Sequence, residues 1–165
     1  MNQFDCVVVG GGMVGAASAL SLAALGLKVA IIEKSAPELF SPEQAFDLRV
    51  SAISLASEQL LKQLDAWQQL QQHDNITLFC PETLVKLVQS PTDVELTLSS
   101  QVVRAKIVIG ADGANSFVRK LVNIGTTGWD YAQSAMLINV QTEKPQQDIT
   151  WQQFFQTGPL AMLPM

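Results

Sequence analysis

The stretch Phe4-Asp5-Cys6-Val7-Val8-Val9-Gly10-Gly11-Gly12-Met13-Val14-Gly15 decides how the rest of the chain is read. A β-branched apolar run ends at three consecutive glycines, as a strand buried on both faces would. Beyond the glycines, Ala16, Ala19, Leu20, Ala23, Ala24 and Leu27 recur at helical spacing, and Gly26 supplies a stop. Val29-Ala30-Ile31-Ile32 is a second apolar run, closing at Glu33. Strand, glycine turn, helix and strand in this order predict a βαβ unit with a right-handed crossover.

The same stretch has one rival reading. Gly12 to Ile32 is nearly all apolar and about as long as a membrane span, and Gly11 with Gly15 forms a GxxxG pair. Lys28 inside the run, the opening glycine cluster and the β-branched run just after Gly26 all argue against a span. Met1 to Asp5 carries no basic region of the kind that opens a secretory signal. The expected location is the cytoplasm.

Composition narrows the function classes. Of the 165 residues 48% are hydrophobic and 15% charged, which excludes disorder and suits strands covered on both faces. Ten basic against fifteen acidic residues give a net charge of −5, the opposite of a nucleic-acid binder's footprint. Two cysteines and one histidine cannot assemble a Cys₄ or Cys₂His₂ zinc site, so no metal is expected. Cys6 sits among valines and reads as a small buried hydrophobe. His73 lies in the polar tract Gln71 to Asn75 and reads as a solvated residue rather than a triad base.

Working outward, Ser35 to Asp47 holds two prolines and reads as a loop. Ser54 or Ser57 can cap a helix carrying Leu55, Leu60, Leu61 and Leu64, with a further helix from Ala66 to Gln72. The period then changes to two. Ile76–Phe79, Leu84–Val88 and Val94–Leu98 predict antiparallel strands, with turns at Ser90–Asp93 and Ser99–Ser100. Ile107-Val108-Ile109 predicts a third buried parallel strand, ending at Gly110-Ala111-Asp112-Gly113 before a short helix over Ser116 to Val122. Val7–Val9 should lie between the other two parallel strands. Met136–Val140 and Thr150–Phe155 read as strands of another sheet.

Gly10, Gly12 and Gly15 form G-x-G-x-x-G at the junction of strand and helix. The first allows the tight turn, the second lets a pyrophosphate approach the backbone, and the third lets the helix pack on the sheet. A pyrophosphate there meets free N–H groups and the positive end of the helix dipole. Glu33, at the end of the second strand, can take both ribose hydroxyls and repels a 2′-phosphate. The site is therefore one for an adenine dinucleotide, FAD or NAD. An antiparallel meander before the third parallel strand disfavours an NAD-dependent dehydrogenase. Asp112, at the carboxyl end of that strand, lies beside the nucleotide crevice, where it can accept from ribityl hydroxyls or simply close a turn.

Four stretches together resemble the group A flavin monooxygenases of the para-hydroxybenzoate hydroxylase fold. They are Gly10–Gly15, the strand ending at Glu33, Asp47-Leu48-Arg49-Val50-Ser51-Ala52-Ile53-Ser54 and the Asp112-Gly113 run. Trp129–Ser134, Trp151–Phe154 and Gly158-Pro159 are similar to the ubiquinone-biosynthesis hydroxylases within that group. The resemblance implies an α/β fold: a Rossmann-like FAD-binding domain over residues 1–128, with an inserted antiparallel meander over about 76–104. Residues 129–165 would begin a β-rich substrate domain. It implies FAD contacts at Gly10, Gly12, Met13, Val14, Gly15, Glu33, Lys34, Arg49, Asp112 and Gly113. Arg49 would lie towards the pyrophosphate and flavin, and Arg119 would support the Asp112 motif.

The implied activity is hydroxylation of a quinol or phenol ring in ubiquinone biosynthesis, with NAD(P)H as transient co-substrate and dioxygen as oxidant. A polyprenylated quinol is the implied substrate; contact with a membrane surface or a ubiquinone-synthesis complex, and an oligomer, stay open. The chain departs from the family in running from Asp65 straight into Ala66, where the family carries a substantial segment. It also ends where the family continues with a second FAD motif. An inactive nucleotide-binding fragment is therefore the alternative.

Overall fold

The computed structural model describes residues 2–36, 51, 53–64, 66, 74–145 and 148–164. Arg49, His73, most of the 35–47 loop and all but Ala66 of the helix expected over 66–72 lie outside the described residues. Two compact units are present, one running to Asp130 and one from Tyr131 onward. Each is described by itself.

The first unit opens with β1 (Asn2–Val9), α1 (Met13–Ala24) and β2 (Val29–Ile32), the βαβ unit expected from the glycine turn. Helix α2 (Leu55–Gln63) follows, then β3 (Ile76–Phe79), β4 (Leu84–Gln89), β5 (Val94–Leu98), β6 (Val102–Gly110) and α3 (Phe117–Leu121). Six strands form one sheet in the order β3-β2-β1-β6-β5-β4. Strand β1 pairs in parallel with β2, Val8 opposite Ile31, and with β6, Val8 opposite Ile109. Val7–Val9 thus lies between the other two strands, as expected.

Both faces of β2 and of β1 from Cys6 to Val9 are covered, which is why these strands carry no alternation. Cys6, Val8, Val29 and Ile31 pack under Ala19 of α1. On the opposite side Val7, Val9, Ala30 and Ile32 meet Leu84, Leu96, Leu98 and Val103 of the meander, with Val118 of α3. Strand β6 joins the parallel strands to the meander. Its first half pairs with β5 and β1 together, and its second half with β1 alone. Leu98 and Gln101 close the β5–β6 turn, and Ser90 with Asp93 closes the β4–β5 turn. Gly26 ends α1 at a φ of +80°, and Ser54 caps α2 by accepting from the Ser57 N–H.

Three expectations need correction. Ile107–Ile109 pairs in parallel with β1 but is not fully buried: Ile107 is 61% exposed, and Val108 and Ile109 are half-buried. Ile76–Phe79 pairs in parallel with β2, Ile31 opposite Leu78, so the antiparallel meander begins only at Leu84. At the sheet edge β3 is half-exposed. Its period of two therefore marks exposure, not antiparallel pairing. Met136–Val140 forms neither strand nor helix, and its apolar side chains are exposed. An apolar run becomes a strand only beside a partner edge.

In the second unit β7 (Trp151–Phe155) and β8 (Gly158–Met162) form an antiparallel hairpin, Gln153 opposite Leu160. Among the described residues no helix is long and apolar enough to cross a membrane.

Candidate functional site

At the carboxyl ends of β1, β2 and β6 the first unit holds a crevice of about 600 Å³, within the range of small-molecule and cofactor sites. Gly10, Gly12, Glu33, Lys34 and Asp112 line it, so five of the expected contact residues come together there. Met13 and Val14 begin α1 beside the turn with exposed side chains, and Gly113 turns the chain after Asp112 at a φ of +86°. None of these three lines the crevice itself.

The three motif glycines are held for different reasons. Gly10 has a φ of +103°, the left-handed region that disfavours side chains. A Cβ on Gly15 would fall inside the contact envelope of the Gly10 carbonyl oxygen, so helix and turn meet there backbone to backbone. Gly12 differs from both. Its φ is −66°, open to any residue, and a Cβ built on it meets nothing within 4 Å. Among the described residues nothing requires a glycine at 12. The bare backbone leaves room in front of the α1 N-terminus, where first-turn N–H groups have no intrahelical partner. That open cradle fits the pyrophosphate of an adenine dinucleotide.

Glu33 leaves β2 and turns back over the glycines. One carboxylate oxygen accepts from the Gly11 N–H at 2.6 Å, the other from the Ser35 N–H at 3.1 Å. Each oxygen keeps lone-pair capacity on the crevice side for ribose hydroxyls.

Asp112 sits at the end of β6 and is fully engaged by α3. It accepts from the Ser116 hydroxyl at 2.5 Å and from the N–H groups of Phe117 and Val118. Partial burial pulls its carboxyl up, but these hydrogen bonds outweigh burial and leave it below the ordinary value. Ser116 in turn caps α3 through the Arg119 N–H. The Arg119 guanidinium donates to the Ile124 carbonyl, behind the Asp112 turn.

Glu82 is the wall residue the sequence reading missed. It is 6% exposed, follows β3 and lines the crevice beside Glu33. Its carboxylate accepts from the hydroxyls of Ser99 and Ser100 and from the Thr83 N–H at 3.2 Å. Those serine hydroxyls hold its pKa down at about 2. Asn115 and Phe117 were missed as well and line the same crevice. The ends of all parallel strands surround such a crevice. Placing β3 in the parallel sheet would have pointed to Glu82.

The first comparison with known proteins gives an FAD dependent oxidoreductase family model matching residues 5–41. The chain is 38% identical to the 3-demethoxyubiquinol 3-hydroxylase of Escherichia coli, covering 98% of this chain and 54% of that protein. It is 28% identical to the ubiquinone hydroxylase UbiL of Rhodospirillum rubrum, covering 98% and 49%. Its structure matches p-nitrophenol 4-monooxygenase PnpA from Pseudomonas putida with a TM-score of 0.61 and 19% identity, over 74% of this chain and 44% of that one. The fold is that of the FAD-dependent monooxygenases. The resemblance drawn from the sequence therefore stands.

The chain spans about half the length of the curated relatives it matches. The 212 aligned positions with the E. coli protein also exceed the 165 residues here by several tens. That excess falls inside the aligned span, so this chain lacks interior positions that the relative has.

Proposed function

We propose that the chain is the FAD-holding part of a monooxygenase that hydroxylates a quinol or phenol ring in ubiquinone biosynthesis, acting in the cytoplasm. The observation that carries this reading is Gly12, a glycine that nothing among the described residues requires, standing before the α1 N-terminus with Glu33 beside it. The names of the relatives support the ring substrate and the pathway. NAD(P)H is the proposed reductant and a polyprenylated quinol the proposed substrate.

In this reading Gly10 and Gly12 hold the backbone clear for the pyrophosphate, and the first turn of α1 donates to it. Glu33 orients the adenosine ribose. Lys34, exposed on the same wall, offsets part of the charge of the phosphates. Asp112 holds the N-terminus of α3 against the end of β6, setting the wall formed by Asn115 and Phe117. Bound FAD would supply the redox chemistry that activates dioxygen for transfer to the ring. The residues of this chain bind and orient; none of them is assigned as an acid or base.

Purified protein titrated with FAD should take on flavin absorbance with saturable binding. The paired assay follows NAD(P)H oxidation with a short-chain quinol, measuring hydroxylated product and hydrogen peroxide separately. Protein that binds NAD but no flavin would sink the reading. The missing interior positions favour a second reading, a nucleotide-binding fragment without hydroxylase activity. Flavin binding with peroxide but no hydroxylated product would support that second reading.

A further inference from the structure

The proposed grip on adenosine rests on Glu33, and Glu33 is itself held by something. Its carboxylate carries the Gly11 N–H, while its backbone is clamped on both sides. The Glu33 N–H donates to the Phe79 carbonyl at 2.9 Å, and its carbonyl accepts from the Glu82 N–H at 2.8 Å. The segment after β3 thus runs alongside Glu33 like a further short strand. Glu82 is fixed at its other end by Ser99, Ser100 and the Ser100 N–H at 3.3 Å, all from the β5–β6 turn. The Ser99 N–H returns a bond to the Thr83 carbonyl at 2.9 Å. A continuous path of hydrogen bonds therefore leads from the β5–β6 turn through Glu82 and Glu33 to the glycine turn.

A carboxylate 6% exposed needs a reason to be there, because an apolar side chain would bury at lower cost. Here every described partner of the Glu82 carboxylate is a donor, and its place is on the crevice wall rather than in the core. We propose that Glu82 is a positioning residue for the adenosine end of the crevice, acting through Glu33. Ser99 and Ser100 are its anchors. This rests on the reading of the crevice as an adenine-dinucleotide site.

The test titrates the 165-residue chain with FAD, ADP and FMN, ADP and FMN each carrying a different part of FAD. Glu82→Ala should weaken FAD and ADP by the same factor, about tenfold, and leave whatever affinity FMN has unchanged. The pair Ser99→Ala/Ser100→Ala keeps the carboxylate, removes its anchors and should give the same result, which covers the case in which Glu82→Ala fails to fold. Glu82→Gln retains an acceptor for Ser99 and lets the Ser100 hydroxyl reverse, so it should bind within about threefold of the parent. In a Glu33→Gln background Glu82→Ala should lose most of its effect, because the two act in series. Glu95→Ala, which breaks the Glu95–Arg104 pair between β5 and β6, is the control and should leave all three ligands unaffected.

Folded variants that bind FAD and ADP as the parent does would overturn the proposal while leaving the FAD reading intact. So would an equal loss of FMN affinity, or effects that add fully to Glu33→Gln. A parent chain that binds neither FAD nor ADP overturns both.

Discussion

The two units of this chain treat apolar residues in opposite ways. In the first, Val7, Val8, Val29 and Ala30 are fully buried, with α1 on one side and the meander on the other. In the second, Trp151 is 62%, Phe154 76% and Leu160 57% exposed. Both stretches are apolar, and Ile149 to Pro164 holds no ionisable side chain at all. What separates them is where their partners come from. Strand β1 finds β2 and α1 within thirty residues of sequence, and β6 closes the other side. Among the described residues the β7–β8 hairpin pairs only within itself, and two strands alone are marginal in water.

The sharpest way to break this contrast is Gly15→Ala. The added methyl has no room against the Gly10 carbonyl, which is backbone and cannot give way without lifting α1 off β1. We expect a loss of about 3 kcal/mol or more, at the upper end of overpacking effects. Circular dichroism and thermal melting would show it, as would a failure of FAD binding. Gly12→Ala is the comparison: it should melt like the parent yet bind FAD more weakly, because the methyl occupies only the open cradle.

Next in size is a matched pair across the two units. Ile31→Ala removes a side chain 2% exposed and should destabilise the first unit by roughly 2–5 kcal/mol. Phe154→Ala removes a larger side chain that is 76% exposed and should change the melting temperature by no more than a surface substitution does, within about 0.5 kcal/mol. If the two variants melt alike, the hairpin has found a cover in solution, and gel filtration of the parent should then report an associated species.

The same contrast explains what was legible in the sequence. The βαβ unit was readable because its signals are local: a glycine turn, helical spacing, a stop at Gly26 and an acid at Glu33. Ile107–Ile109 was readable as a parallel strand from its β-branched run ending at Gly110, but not in its burial, since Ile107 is 61% exposed. Ile76–Phe79 was misplaced because an edge strand is half-exposed whatever the direction of its neighbour, and four residues cannot report direction. That error hid Glu82, since only a parallel β3 brings the following turn to the crevice. Asn115 and Phe117 were hidden differently: the Asp112-Gly113 turn was recognised, but which later side chains it points at the crevice is tertiary information. Met136–Val140 failed for the reason the hairpin stays exposed, namely that pairing depends on partners distant in sequence.

A smaller effect tests Glu33 directly. Glu33→Gln keeps an acceptor for the Gly11 N–H but removes the charge, and should weaken FAD binding by roughly 1–3 kcal/mol. An unchanged dissociation constant would mean that the carboxylate serves only the glycine turn.

The smallest effect expected is on acid stability, and it falls on the first unit alone. Glu82 is held at about 2 by Ser100 and Ser99, below its ordinary 4.5. Asp112 is also held below its ordinary 3.8, since hydrogen bonds from Ser116, Val118 and Phe117 outweigh the upward pull of burial. Both groups therefore bind protons more weakly folded than unfolded. Their contribution is complete above the unfolded values and fades as pH falls, for Glu82 between about 4.5 and 2. Urea midpoints measured by circular dichroism should decline over that interval. Glu82→Gln should be less stable than the parent near neutral pH and show a shallower decline, since one of the titrating groups is gone. Ser99→Ala/Ser100→Ala should also flatten the decline, because the carboxyl then titrates nearer its unfolded value and the difference that drives the decline shrinks. Trp151 offers the internal comparison, as no side chain from Ile149 to Pro164 can titrate. A parent and a Glu82→Gln variant with parallel acid profiles would show that the serine clamp does not reach the stability of the sheet, and would leave Asp112 as the group to examine.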